Sequence, residues 1–440
     1  MGTELHVAGN LVFFQRINDT MAISRGSVRH TIAEDLYAFA KSTFRPTACA
    51  LRATPAEKAR LAEKINRRFG LSQTVPFPYA RTCVHAVLEA MRLPPGSELL
   101  MTPINIGPML EVILSLGLRP LFVDIELDTY GPDLDDLARK LERKPAAFLL
   151  TYLFGAVPQV EAIIQACDKS GTRVIEDISQ NIGATYAGRL LGTFGEAAVY
   201  SASLLKYVDG YNGAFLITDN PKLGHALVAA AEALHAPDRR RIQACIRRTL
   251  IWNIALNRHM FNIGTFPVLS CLKALSPIRF EKLLGPGIPL RLDQKTLPNY
   301  YFEDIATIQC RTILKQLDKL DTLLEARQEQ ALIAFRAWQD VTTGTTGLTS
   351  LGLATDHQGR ATFWQFVIPV KSVAQARDVL FRNHVETGTT NLPDLAHASG
   401  IELPNARALK ERRLFVPLHS HMRYDSYAKL FSVLRNAGQI

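Results

Sequence analysis

Cysteine is sparse in this chain: six in 440 residues (Cys49, Cys83, Cys167, Cys245, Cys271 and Cys310), with no C-x-x-C pair. That scatter excludes a disulfide framework and, with no histidine at ligand spacing, a zinc finger or ribbon. A reduced, cytosolic compartment is expected. Long apolar runs are lacking too. The longest uncharged stretch in the most apolar region, His259 to Leu272, is 14 residues and contains Asn262 and a proline, too little for a membrane span. No basic region precedes the short run Leu11-Val12-Phe13-Phe14, so no cleaved signal peptide is expected. Gly2 looks like a myristoylation start, but His6 stands where Ser or Thr is needed. Internal repeats and low-complexity tracts are absent. With 47% hydrophobic and 21% charged residues, the composition is that of a globular chain able to bury a core.

What is present is length and positive charge. The chain exceeds a typical single domain, and its formal net charge of +9 points to an anionic partner. From about 80 to 220, short apolar runs alternate with amphipathic stretches, the pattern of βα units on a mainly parallel sheet. Strands are expected at 98–102, 120–125, 147–153, 173–178, 197–203 and 213–218, and helices at 82–92, 109–116, 134–142 and 160–169. Alanine-rich, arginine-rich and then apolar segments fill 221–295, which reads as a helical insertion and linker. A long helix is expected over 303–338, where apolar residues recur at three and four. A strand in FWQFVIPV, a helix at 373–383 and the LFVPLHSHMRY segment suit a small α+β domain at the end. The division is therefore an N-terminal arm (1–60), a large α/β domain (61–220), the basic insertion (221–295), and a long helix with a C-terminal domain (296–440).

In parallel sheets, ligands bind beyond the carboxyl ends of the strands. Two such ends hold reactive groups. The run RVIEDISQ brings Glu176, Asp177, Ser179 and Gln180 to one, and VYSASLLK brings Ser201 and Lys206 to the next. Spacing alone favours the bland outcome, a surface aspartate and a solvated lysine.

Several longer motifs, in one order, change that balance: PPGSELLMTP, LGLRPLFVDIELDTYGPDLDDL, TYLFGAVPQVEAI, VIEDISQNIGATYAGRLLGTFGEAAVYSASLLK and the late VPLH. The chain resembles the DegT/StrS-type sugar aminotransferases, strongly over about 79–220 and more weakly over 297–436. The resemblance implies a fold-type-I α/β architecture: a mainly parallel seven-stranded sheet domain, a small α+β C-terminal domain and, here, a helical insertion. It implies pyridoxal 5'-phosphate as cofactor, an amino-acid donor, a keto-sugar acceptor carried on a nucleotide or lipid phosphate, and a homodimer. Lys206 would be the amine that joins the cofactor aldehyde and later moves the substrate proton. Asp177 would hold the pyridine nitrogen protonated. Gln180 matches a position beside the ring, Ser201 a phosphate-binding serine, and the helix start at Ala80, Arg81 and Thr82 a phosphate seat made of backbone amides. Some relatives replace the lysine, so its retention favours amine transfer. Lyase or other carbanion chemistry is the alternative, and a silent protein of the same fold the third reading.

The pattern also departs from the family. Ala80-Arg81 stands for a Gly-Thr step, and Pro103 to Gly107 offers no aromatic to stack on the ring. The turn after the lysine reads Asp209-Gly210-Tyr211-Asn212-Gly213, and Phe302-Glu303-Asp304 replaces a motif that reaches the partner subunit's site. His419 and Asn212 are candidate substrate contacts, while His85 reads as a satisfied pocket or core histidine. The glycines at 192, 195, 210 and 213 read as turn residues.

The charge is concentrated. Between Arg239 and Lys282 there are nine Lys/Arg and one acidic residue, a net of +8 that leaves +1 for the rest. On a helical wheel over 239–262, Arg240, Arg247 and Arg258 share one face, opposite Ile242, Ile246, Leu250, Leu256, Met260 and Phe261. Such a helix either docks its apolar face on its own protein or lies on an anionic membrane. A cytoplasmic enzyme, with peripheral membrane contact through 239–262 as the alternative to docking, is expected. No nucleic-acid-reading module accompanies the charge.

Overall fold

Seven strands, β1 Gln73–Phe77, β2 Glu98–Met101, β3 Arg119–Phe122, β4 Ala147–Thr151, β5 Arg173–Asp177, β8 Ala197–Ser201 and β9 Ala214–Thr218, build the central sheet in the order β1-β9-β8-β5-β4-β2-β3, and the short strands β6 Thr185–Tyr186, β7 Arg189–Leu190 and β10 Gly359–Arg360 form a separate sheet. In the computed structural model, which describes residues 21–44, 52–284, 296–342, 358–390 and 392–440, β8, β5, β4, β2 and β3 run parallel. Strand β9 is antiparallel to both β8 and β1. The six expected strands are present, each ending within a few residues of its apolar run.

The seventh, β1, escapes the pattern because its sequence QTVPF contains Pro76, which cannot donate to a ladder. The structure accommodates Pro76 by placing β1 at the sheet edge, paired on one side only. A helix that also went unpredicted, Pro55–Phe69, packs beside it, started by a Thr54/Glu57 capping box.

Side chains alternate across the sheet, so one strand feeds two cores. Leu99, Leu149, Ile175 and Leu216 join a cluster with the helices Ala80–Ala90 and Gly107–Ser115. Leu100, Leu150, Val174 and Ile217 join the opposite one, with the helices Val160–Ser170 and Thr307–Asp318. A third cluster fills the C-terminal unit. There β11 Phe366–Pro369 and β12 Arg413–Val416 pair antiparallel beneath the helices Val373–Arg382 and Tyr424–Asn436.

Two helical expectations need correction. The single helix foreseen over 303–338 is two, Thr307–Asp318 and Leu320–Thr342, which meet at Lys319. Periodicity persists across such a break, and no glycine or proline marks it. The wheel over 239–262 assumed continuity, but the helix Arg239–Leu256 stops at Asn257, whose ψ of 134° is extended. The Asn257 side chain then caps a new turn, accepting from the amides of His259 and Met260. Arg258 therefore leaves the face shared by Arg240 and Arg247. The apolar face of Arg239–Leu256 is docked on its own chain: Ile242, Cys245, Ile246 and Leu250 are buried, chiefly against the helix Ile32–Phe44.

The end of β5 shows how a local pattern sets the scaffold. Glu176 is fully buried and points to the second core. Its carboxylate accepts the amides of Gly192 (2.8 Å), Phe194 (2.7 Å) and Gly195 (2.6 Å) and the Tyr152 hydroxyl (2.8 Å). This is why GTFG is glycine-rich: a Cβ on Gly195 would lie 2.6 Å from the Val174 carbonyl oxygen. Burial pushes the Glu176 carboxyl up, and the donors counter it. Glu176→Ala should orphan those buried donors and destabilise the protein by about 3–5 kcal/mol in denaturant unfolding. A loss below about 1 kcal/mol would contradict this clamp.

Candidate active site

Asp177 follows Glu176 and faces the opposite way. Its Oδ1 accepts the Ser179 amide at 3.0 Å, and Thr151, at the end of β4, also hydrogen-bonds to it. The Thr151 hydroxyl accepts from Asn105 Nδ2 at 2.8 Å, so three strand ends are linked by side chains. Burial raises the Asp177 carboxyl above its ordinary value, opposed by Ser179, Lys206 and Thr151.

Lys206 reaches the same place from the loop after β8. The preceding residue, Leu205, has φ 68°, in the left-handed region a branched side chain seldom enters. Its carbonyl accepts the Trp364 indole N–H at 3.0 Å, and the Lys206 Nζ lies 4.5 Å from the Trp364 ring centroid. Burial pulls the amine down to about 8, with the Asp177 charge acting the other way. The lysine is therefore neither a solvated surface group nor a firmly paired ion.

Trp364 was not foreseen, because FWQFVIPV reads as a core strand. Its position depends on the TYLFGAVP motif. The chain turns at Phe154 and Gly155 (φ 83°) and bonds the passing segment through Gly155 O to Thr362 N (2.9 Å) and Phe154 O to Gln365 N (2.9 Å). A Cβ on Gly155 would stand 2.3 Å from the Trp364 nitrogen. Gln180, expected beside a ring, is buried and accepts the Phe154 amide at 2.7 Å, so it holds this turn.

The remaining candidates divide. The Ser201 amide donates to the Ser179 hydroxyl oxygen (3.0 Å), and the Ser201 hydroxyl donates to Ser203 (3.1 Å). The helix Ala80–Ala90 begins after Tyr79 with no side-chain cap, which leaves the amides of Ala80 and Arg81 for an anion, while that of Thr82 donates to the Tyr79 carbonyl (3.0 Å). Arg81 stands among three tyrosines, 4.2 Å from the Tyr79 ring, 5.2 Å from Tyr300 and 4.6 Å from Tyr301, and its Nε is buried without a partner. Thr82 is committed elsewhere, donating to the Tyr301 carbonyl at 2.7 Å. Asn212 (φ 71°) donates to Cys245 Sγ at 2.8 Å on the arginine helix, so its amide serves the insertion. His85 is half-buried, edge-on to Phe302 and with Nδ1 3.7 Å from the Glu89 carboxylate. His419 is buried against the Ser24 carbonyl (2.7 Å), in a different cavity from these groups.

A sequence profile of the DegT/DnrJ/EryC1/StrS aminotransferase family matches residues 56–281, just over half of the chain. The chain belongs to that family. It is 33% identical over 141 residues to the "Pleiotropic regulatory protein" of Geobacillus stearothermophilus, covering 32% of this chain and 38% of that protein. It is 30% identical over 138 residues to a dTDP-4-dehydro-2,3,6-trideoxy-D-glucose 4-aminotransferase of Saccharopolyspora spinosa, covering 31% and 36%. These matches thus span little more than a third of either relative. The solved aminotransferase from Psychrobacter cryohalolentis superimposes with a TM-score of 0.70 at 15% identity, over 93% of this chain and 98% of that one, which shows a shared fold.

An uncapped helix start beside an orphaned arginine, a buried carboxylate, and an amine near neutrality fit the three demands of pyridoxal phosphate: its phosphate, ring nitrogen and aldehyde. With its amine at about 8 and not 10.5, Lys206 is neutral in about a tenth of molecules at pH 7. Cofactor uptake by apoprotein should therefore accelerate with pH through a midpoint near 8. In Asp177→Asn, which removes the charge that favours the ammonium, the midpoint should move lower. A midpoint near 10 in stopped-flow absorbance would contradict the burial of this amine.

Proposed function

We propose that the protein is a pyridoxal-phosphate-dependent aminotransferase that moves an amino group from an amino-acid donor to a keto sugar carried on a nucleotide or lipid phosphate. The observation that carries the reading is the lysine of lowered basicity facing a buried carboxylate across the ends of β5 and β8. The cofactor, when bound, supplies an aldehyde and a ring that accepts the electron pair left on the substrate carbon. Asp177 would hold a proton on the ring nitrogen, since a buried carboxylate stabilises a cation within reach. Lys206 would take a proton at Nζ and return it, which its near-neutral basicity permits in both directions. The Arg81 side chain and the amides of Ala80 and Arg81 would hold the phosphate, together with the Ser201 hydroxyl. Nucleotide-linked sugars are favoured as acceptors by the named Saccharopolyspora relative.

Purified protein should be yellow, and Lys206→Ala should lose the visible band. Titration with amino donors such as glutamate should convert the band of the wild type to that of the aminated cofactor. A colourless protein, or no conversion with any common donor, would sink this reading.

We further propose a homodimer in a cytoplasmic setting, with peripheral contact to anionic membrane through the basic insertion. No helix among the described residues is long and apolar enough to cross a membrane. Support for surface contact comes from apolar side chains left outward on the insertion: Ile251, Ile263, Val268, Leu275 and Ile278 are 57–85% exposed. Ile251 stands one helical turn after the exposed Arg247 and Arg248 in the helix Arg239–Leu256. Such a surface should cosediment with anionic vesicles at low salt and release partly at high salt. Absence of cosedimentation in both would assign these residues to contacts between proteins.

A further inference from the structure

The turn after the lysine is strained. Tyr211, Asn212 and Gly213 have φ of 58°, 71° and 103°, successive residues in the left-handed region, which a side chain as bulky as Tyr211 enters only where its surroundings over-determine it. The same turn joins the two sides of the site. The Gly213 amide donates to the Pro78 carbonyl (2.9 Å), just ahead of the helix Ala80–Ala90. In the loop leading to Lys206, the Ala202 carbonyl accepts the Gly210 amide and the Ala202 amide donates to the Gly213 carbonyl, both at 2.8 Å.

What holds Tyr211 comes largely from the N-terminal segment. Its ring stacks on His30 (4.5 Å between centroids, 22° between planes), its hydroxyl donates to Asp35 Oδ1 (2.7 Å), and its amide donates to Asp209 Oδ1 (3.0 Å). His30 stands between the two carboxylates, with Nδ1 3.6 Å from Asp35 and Nε2 3.5 Å from Asp209, and all three side chains are buried. A neutral imidazole donates from one nitrogen and an imidazolium from both, so a carboxylate at each nitrogen favours the charged ring. Among the described residues Asp35 and Asp209 form ion pairs with His30 alone, and Asp209 Oδ2 has no hydrogen-bond partner. Burial opposes the charge on His30, but Asp209, Asp35 and Glu34 outweigh it and lift its basicity above the ordinary 6.5. Arg29, next in the chain, lies over the Tyr207 ring. On its open side His30 shares a cavity of about 220 Å³ with Tyr37 and Lys41 of the helix Ile32–Phe44 and with Arg311 and Lys315, which are paired to Glu57 and Glu34.

We propose that His30, bridging Asp35 and Asp209, is a positioning residue for Lys206: it holds the turn that sets the lysine loop against the start of the helix Ala80–Ala90. The inference rests on the reading of Lys206 as the amine that meets the cofactor. The bridge is complete below pH 6.5 and is lost as pH rises through the higher value that His30 has in the folded protein. The test joins NMR titration of the histidines to amide exchange of the full-length protein. The resonance absent from His30→Gln should titrate above 6.5, and its midpoint should fall in Asp209→Asn. Exchange protection over residues 208–213 should drop about tenfold through that midpoint in the wild type. In His30→Gln it should be low at every pH, while the helix Tyr424–Asn436 keeps its protection. His30→Gln should still form the visible band, but bind the cofactor about tenfold more weakly at pH 6.5. If His30→Gln does not fold, Tyr211→Phe, which removes only the bond to Asp35, should show the same local loss of protection. A His30 midpoint at or below 6.5, a turn indifferent to these substitutions, or unchanged cofactor affinity would each overturn the inference while the wild type remains yellow. A colourless wild type would instead sink the reading of Lys206, and with it the role given to the bridge.

Discussion

Two adjacent buried carboxylates at the end of β5 are the constraint on which the site depends. A strand sends successive side chains to opposite faces, so Glu176 and Asp177 cannot share an environment. Glu176 meets four donors and is consumed in holding the GTFG turn. Asp177 meets fewer, and its remaining capacity faces the lysine loop. Burial raises both carboxyls, yet the first is structural and the second available for chemistry. A slip of one residue in the pairing of β5 with β8, which sets Asp177 opposite Val199, would exchange the two roles and leave both unsatisfied.

Two of the stretches that differ from the family resemblance, Asp209 to Gly213 and Phe302 to Asp304, share a structural role. Asp209 and Asn212, in the altered turn after Lys206, and Glu303 and Asp304, near the replaced motif, all bind the N-terminal segments or the insertion. His30 lies 3.5 Å from Asp209 and 3.6 Å from Asp35, while Asp35 accepts from Tyr211 (2.7 Å) and Asn253 (2.7 Å). Burial opposes a charge on His30, but the surrounding carboxylates outweigh it and raise its basicity. Glu303 holds Arg241 (3.2 Å), and Asp304 holds Lys58 and Arg52 (2.7 and 2.9 Å). His30, Asp35, Asp209 and Asp304 are buried, so removing a partner from any of them strands a charge, and the N-terminal segments are thereby tied to the core energetically. The insertion is thus bonded to the turn that follows the lysine, through Asn212 and Cys245.

Legibility followed the range of the interactions. Six strands of the central sheet were readable because apolar runs are local in sequence, whereas Asp177 and Lys206 stood out only through the longer motifs that carry the family resemblance. Strand β1 was not, since Pro76 argues against a strand unless the edge position is known. Trp364 was hidden because its contact with Lys206 joins positions 158 residues apart, and nothing in FWQFVIPV separates an outward tryptophan from a core one. Thr82 and Asn212 matched plausible roles by position, yet their side chains are committed to Tyr301 and Cys245. Sequence position says where a side chain starts, and long-range partners decide where its polar atoms end.

The net charge has a corresponding structural meaning. Nearly all of the +9 arises between Arg239 and Lys282, but its members are in unlike environments. Arg241 is paired with Glu303, Arg247 and Arg248 face solvent, and Arg258 turns into the cavity that holds His419, with Arg29 and Arg327. Exposed charges act through a screened field over about 8 Å at physiological salt, whereas those in the cavity act at contact in a lower dielectric. The break at Asn257 produces this division. By ending one helix and capping the next, it takes Arg258 off the solvent face and gives a basic surface a basic interior.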